Sequence, residues 1–540
     1  MSHVGLVRMR PRLIVRSVPR MPHLVLSPIT LQAPIGDRIV ILPALFVFAA
    51  TLAPSPQSAP DLNESVVVED DVQGALNRRL YDLVMNSETT AEELASVLLE
   101  GADPEATAKS VGIPGFAGVL YRAATNLANP RAIKVLLDAG LLPKPFIVSA
   151  AVRFNSSPEV VRFLIDANEI AASADPSLQV PNTTNLLLRA ATFNVNPAIV
   201  RLLLASGDYD VNASGSGPLD LPPFLAASQK NPNPAVLAAL LEAGARTDAE
   251  AGMRGNRLTA LSVACGSNPN VAVIEFLLEI GCDATAPYPK GRPPYLMAAL
   301  SGSHPEAFGL LVERGADPNI LQAGRTASSN IARFNPNDGM MAGAIDAGTR
   351  PRTIQPGGRT ILGIAVQNTS IDPLATLLGR GIDPNVGDNR PLSACAALAK
   401  RPEMVALLVG AGADLDRLTE SDDEMFPLLT RGSNVLMEAA FNLTEQAAAV
   451  LQAFVDTGID VDATNDAGTT ALMMVASRKA DAGKQTVPML RVLIEAGADP
   501  LRRDRSGRTA REIADANPRL KDIDLDTAFA PALNDGASPR

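Results

Sequence analysis

Apolar residues along most of the chain fall into one short recurring segment. Asn196-Pro-Ala-Ile-Val-Arg-Leu-Leu-Leu-Ala-Ser-Gly207 is one copy, and Asn233-Pro-Ala-Val-Leu-Ala-Ala-Leu-Leu-Glu-Ala-Gly244 is the next. Four more run from Asn129 to Gly140, Ser157 to Asn168, His304 to Gly315 and Arg401 to Gly412, each with Pro in second place. Two looser copies, Asn268 to Gly281 and Asn335 to Gly348, are two residues longer. The pattern predicts a short helix. Asn or Ser stands at the N-cap, where its side-chain oxygen accepts from an orphan backbone N–H. Pro follows at the first helical position, where its missing N–H does no harm. Gly closes the helix, where φ must be positive. Between them the apolar residues keep helical spacing, with Val236 over Leu240 and Leu237 over Leu241. A helix of about ten residues is marginal alone in water, so these helices must be stacked.

The closing glycines set a period. They stand at Gly101, Gly140, Gly207, Gly244, Gly281, Gly315, Gly348, Gly381, Gly412, Gly458 and Gly497, with Asn168 in the same role, at a mean spacing of 36 residues. A fixed period of this length signals a solenoid. A second signature lies upstream of each such helix, as in Gly358-Arg-Thr-Ile-Leu-Gly-Ile-Ala365, Gly468-Thr-Thr-Ala-Leu-Met-Met-Val-Ala476 and Gly507-Arg-Thr-Ala-Arg-Glu-Ile-Ala514. It reads as a turn followed by a helix whose small residues permit close packing. After the closing glycine comes Ala-Asp-Pro or a relative, as in Gly101-Ala-Asp-Pro104 and Gly497-Ala-Asp-Pro500.

Turn, short helix, short helix and Gly-Ala-Asp together resemble the ankyrin repeat, of a divergent bacterial type. The second helices keep Leu240-Leu-Glu-Ala-Gly-Ala245 and Leu277-Leu-Glu-Ile-Gly-Cys-Asp283. The family's His of the first helix is absent, and Ser262, Met473 or Gly363 stands there. The resemblance implies an all-α ankyrin-repeat solenoid of helix-turn-helix units with short hairpin-like finger loops. It covers residues 72–528 in about twelve repeats. The first unit, with Asn77-Arg-Arg79 and Asp82 on a solvent-facing helix, is expected to cap one end; Asp504–Phe529 is expected to cap the other. Insertions at 206–223, 413–433 and 480–487 are expected in loops, and 529–540 as a disordered tail.

Residues 39–53 are the most apolar run, followed by the Pro- and Ser-rich stretch Pro54-Ser-Pro-Gln-Ser-Ala-Pro60. About fifteen residues with a Pro are short for a membrane span. Residues 1–59 therefore read as a leader with a secretory signal peptide, cleaved near Ala49–Ala59, and 60–71 as a linker. The long basic stretch before the apolar run is unusual, and Met21 is an alternative start. The other readings are an untranslated or disordered leader, or an uncleaved anchor; a leader that is not a working signal leaves the protein cytoplasmic. If the signal works, the protein is periplasmic or secreted.

The charge of −11 and pI of about 5.0 change the picture only in one respect. Residues 1–60 carry six Arg and one Asp, so the remainder is more acidic still. That argues against nonspecific nucleic-acid binding. The three cysteines, Cys265, Cys282 and Cys395, form no CxxC and are read as small buried thiols. Outside the leader His304 is the lone histidine, at an expected N-cap, and no metalloprotease, P-loop or dinucleotide-binding motif occurs. The recurring Asp103, Asp317, Asp383, Asp414, Asp460 and Asp499 hold one turn position and are repeat architecture. No catalytic residue, metal or cofactor is expected.

One pattern carries candidate specificity. Five consecutive repeats place Arg at the foot of the first helix: Arg257, Arg292, Arg325, Arg359 and Arg390. Stacked repeats align them into a ladder on the finger side, which the resemblance implies is the concave binding face. They are candidates for contact with carboxylates of a partner protein. The alternative is that each pairs with an acid of its own or the next finger. The expected function is thus a non-enzymatic, monomeric scaffold or adaptor for a protein partner. Two other readings are an exported hydrolase using Asp422 or Asp423 in the 413–433 insertion, and a protective or inhibitory partner of an exported enzyme.

Overall fold

The structure, a computed structural model, describes residues 72–105, 118–180, 186–214, 221–248, 258–285, 293–351, 354, 359–386, 391–420, 429–478, 484–521 and 523–529. The leader, the linker and the tail beyond Phe529 lie outside the described residues, as do Asp422 and Asp423. The described residues contain thirteen helix pairs, from Val72–Met85 with Ala91–Leu99 to Ala510–Asp515 with the short Leu525–Phe529. They contain no strand, only two isolated β-bridges. First helices stack on first helices and second helices on second helices. The stacking continues across the 413–433 insertion, where Glu403–Gly410 touches Ala447–Val455 and backbone bonds of Thr419 with Ser433 and Gly432 close the loop's base.

Local rules explain the pairs. Asn129, Asn196 and Asn233 cap the second helices that begin at Pro130, Pro197 and Pro234, each side chain accepting the N–H two residues on. All eleven closing glycines have positive φ, between 79° and 104°. Five first helices begin at a Thr cap. Thr259 and Thr326 form reciprocal capping boxes with Ser262 and Ser329, and Thr509 does so with Glu512. The residue where the family keeps His thus closes the box in these repeats, while Gly363 and Met473 receive the cap through backbone N–H alone. Paired alanines on the first helices, such as Ala123-Ala124, Ala190-Ala191 and Ala298-Ala299, are wholly buried and let neighbouring repeats approach closely. The recurring Asp residues each accept the N–H two residues on, at 2.8–3.0 Å, so they are turn formers.

A buried asparagine ladder runs through the stack. Asn194 donates from Nδ2 to the carbonyls of Val152 and Asn155, Asn231 to Ala191 and Asn194, and Asn268 to Ser228 and Asn231. Asn155, Asn335, Asn368, Asn442 and Asn517 do the same in their repeats. Each satisfies carbonyls that a helix end leaves without partners. Arg478, also buried, takes one rung, donating to Asn442 and Ala440.

The ladder corrects several expectations. Asn268 and Asn335 are rungs, not caps; the next helices start after Asn270 and Gly339. His304 is not a cap either. The helix begins at Ala307 after Glu306, and His304 Nε2 lies 3.0 Å from the carbonyl of Asn268, at a rung of the ladder. Arg401 precedes the cap, which is Pro402. Asn168 does not close its helix, which runs on through Pro158–Ala174. Its buried amide instead ties down the carbonyls of Pro143 and Leu178. Asn77 is buried, accepting from Asp103 N–H, so it faces the next turn rather than solvent. Thr486 and Val487 start a helix, so the third insertion is shorter than expected.

Candidate functional site

The fingers set where the arginines stand. In the eighth repeat Gln322 and Arg325 exchange two backbone hydrogen bonds, at 3.0 and 2.9 Å, around Ala323-Gly324. Both turn residues have positive φ, 49° and 76°, as a tight two-residue hairpin requires. Ala323 is the one described non-glycine residue with positive φ. The turn delivers Arg325 two residues ahead of the helix Ala327–Phe334. A bridge between Ile354 and Thr360 does likewise for Arg359, two residues ahead of Ile361–Ala365.

Arg325 and Arg359 meet on a depression of about 260 Å³, together with Arg333, Phe334, Asn330 and Ile364. Ser329 and Arg333 lie one turn apart on the helix, as do Asn330 and Phe334, so one helix face lines the floor. Both Arg325 and Arg333 lie 5.3 Å from the centroid of the exposed Phe334 ring. Asn330 is only 6% exposed, and its Oδ1 is shut off from water with no hydrogen-bond partner. A buried amide oxygen left unsatisfied is costly and calls for an explanation.

None of Arg325, Arg333 and Arg359 forms an ion pair among the described residues. The last repeat shows what a paired finger looks like: Arg508, two residues ahead of its helix, makes a two-pronged contact with Asp504 at 2.9 and 3.1 Å. Four residues before Arg325 and Arg359 the sequence has Leu321 and Gln355, with no acid to offer. Among the described residues, pairing within the finger is seen at Arg508, and no such pair is seen at Arg325 or Arg359. Arg257, Arg292 and Arg390 lie outside the described residues. Counted from the helices that follow, Arg292 keeps the register of Arg325 and Arg359, whereas Arg257 and Arg390 stand one residue to either side. Sequence reasoning missed Arg333 and Asn330. A signal for Arg333 existed, the triplet Arg-Phe-Asn at 153–155 and again at 333–335.

A family model described as ankyrin repeats (three copies) matches residues 224–322. The helix pairs and positive-φ closing glycines seen there recur on either side of that span. The chain is an ankyrin-repeat protein. Its similarity to a solved structure, the human ASB11 ankyrin repeat domain, is 22% identity over 50% of this chain and 96% of that one, with a TM-score of 0.29. No curated protein matches it.

The ankyrin stack offers little for catalysis among its described residues. No three His, Cys, Asp or Glu side chains gather as a metal site there. Burial pushes the Cys395 thiol up to about 12 and Cys282 to about 11, and raises Cys265 further still. Such thiols are poor nucleophiles at neutral pH. No helix among the described residues is long and apolar enough to cross a membrane.

Proposed function

We propose that this protein is a non-enzymatic scaffold or adaptor that binds a partner protein on its finger and first-helix face. Ankyrin repeats are generally protein–protein interaction modules, which supports the class. The observation that carries the face is the depression where Arg325, Arg333 and Arg359, none of them paired with a described acid, surround the unsatisfied amide of Asn330. Guanidinium groups suit carboxylates because their forked N–H donors match the two oxygens. The partner therefore presents Asp or Glu side chains on an accessible segment.

The apolar run at 39–53 and the Pro- and Ser-rich stretch after it support export, which would place that partner outside the cytoplasm. The test joins both points. Affinity capture from the exported fraction of the native host is compared between the native chain and an Arg325→Ala/Arg359→Ala variant. Each charged hydrogen bond lost is worth about 1.5–3 kcal/mol, so capture should fall by tenfold or more, on the scale of about 1.4 kcal/mol per decade. Undiminished capture by a folded variant refutes the face. A full-length chain in the cytoplasm, with residues 1–59 still attached, refutes export.

A further inference from the structure

A second set of unpaired cations lies five repeats away, on the first helices of repeats two and three. Arg122 belongs to Val119–Asn126 and Arg153 to Pro145–Phe154. Both are half-buried, and the Nε of each is shut off from water with no acceptor. Neither forms an ion pair among the described residues. The asparagine ladder fixes their register. Asn155 bonds to the carbonyl of Leu127, so Arg153 stands level with Thr125, one turn along from Arg122.

Aromatic rings fringe the two cations. The Arg153 guanidinium lies 3.9 Å from the ring centroid of Phe193 and 4.7 Å from that of Phe154. Phe154 and Phe193 are 53% and 44% exposed. Phe146, equally exposed, stacks on Tyr121, the neighbour of Arg122, at 6.4 Å. Three exposed phenylalanines in one neighbourhood are costly to leave in water. The rings also hold the guanidinium fork in place. A cation partly withdrawn from water without a counter-charge is unfavourable, and an anion arriving there gains more than at a fully exposed arginine.

We infer that the first-helix face of repeats two to four is a second recognition site, for an acidic peptide segment with an apolar side chain beside its carboxylate. The carboxylate meets Arg122 and Arg153, and the apolar neighbour covers Phe154 and Phe193. A small free anion would leave the rings exposed, and an uncharged apolar segment would leave the cations unmatched. The Arg-Phe-Asn triplet at 153–155 repeats the one at the Arg325–Arg359 depression, so both places offer the same cation-and-ring chemistry. The second site needs neither Arg325 nor Arg359.

The probe is a phage-displayed library of random twelve-residue peptides, selected on the full chain carrying Arg325→Ala and Arg359→Ala. That bait removes the first depression, so its failure cannot mask the second site. Selected peptides should be enriched in Asp or Glu next to Phe, Leu or Ile. Adding Arg122→Ala and Arg153→Ala should weaken them about tenfold or more, with melting unchanged. Arg153→Lys, which keeps the charge and loses the planar stack, should fall in between. Selection of nothing, of basic or purely apolar peptides, or of acidic peptides indifferent to Arg122 and Arg153 overturns the inference. If peptides selected on the native chain are lost with Arg325 and Arg359 while these survive, the two sites are independent.

Discussion

Replacing Asn231 by Ala should destabilise the stack several times more than replacing Asn233, two residues away. Asn231 is wholly buried. Its Nδ2 donates to the carbonyls of Ala191 and Asn194 at 2.9 and 2.8 Å, and its Oδ1 accepts from Asn233 N–H at 3.0 Å. The two carbonyls end the first helix of the preceding repeat, where no further turn exists to use them. Ala removes three bonds and leaves two carbonyls and an N–H buried. At about 1 kcal/mol net per bond, with an added penalty for the unpaired groups, the loss is about 3–5 kcal/mol. Asn233 is half-buried, caps Ala235 N–H at 3.0 Å and donates to the exposed carbonyl of Val195 at 2.7 Å. Water replaces much of what it loses, so Asn233→Ala should cost about 1 kcal/mol. Urea melts followed by helix circular dichroism give the comparison, and hydrogen exchange locates it, since solenoid repeats open locally. Exchange should accelerate in repeats four and five and little elsewhere. Asn231→Asp, nearly the same shape but without the donor, should behave like Ala at neutral pH. Costs for Asn231→Ala and Asn233→Ala within about 0.5 kcal/mol of each other would mean that the rungs do not hold the repeats together.

Three further outcomes are expected. Gly244→Val should cost about 1–2 kcal/mol through backbone strain alone, because φ is +87° while the space for a side chain is open; unchanged melting would refute that cap. Gly302→Ala should cost about 1–3 kcal/mol for the opposite reason: φ is an ordinary −65°, but a Cβ would lie 2.6 Å from the Cys265 carbonyl and 2.7 Å from that of Ala298. A neutral effect on melting would show that the seventh repeat can move aside. Iodoacetamide at pH 8 should modify half-buried Cys282 slowly and buried Cys265 and Cys395 only after unfolding, since burial keeps all three protonated at that pH; mass spectrometry of the native chain showing rapid labelling of Cys265 would contradict the packing.

What could be read from the chain and what could not divide along a physical line. Gly244 and its equivalents were legible because positive φ leaves few choices of residue. Pro197 and Pro234 were legible because the first helical position is where proline does least harm. Asparagine carries no such uniqueness. Asn194 and Asn196 both accept an N–H two residues on, yet one is a buried rung and the other a surface cap. The difference lies in which carbonyls of the preceding repeat stand opposite, a tertiary fact. At Asn268 and Asn335 the Pro follows the rung asparagine, so the Asn-Pro signal points at the rung instead of the cap. Asn168 failed differently. It occupied the closing position in the period, but a residue with a buried side-chain amide can find carbonyls without leaving the helix, and the helix went on. The arginine ladder shows the same division. Its spacing was visible, but whether a guanidinium is already spent depends on the finger around it. Asp504 pairs with Arg508, while Arg325 and Arg359 form no ion pair among the described residues. On the proposed face, specificity thus resides less in which repeats carry arginine than in which fingers lack the acid that would neutralise it.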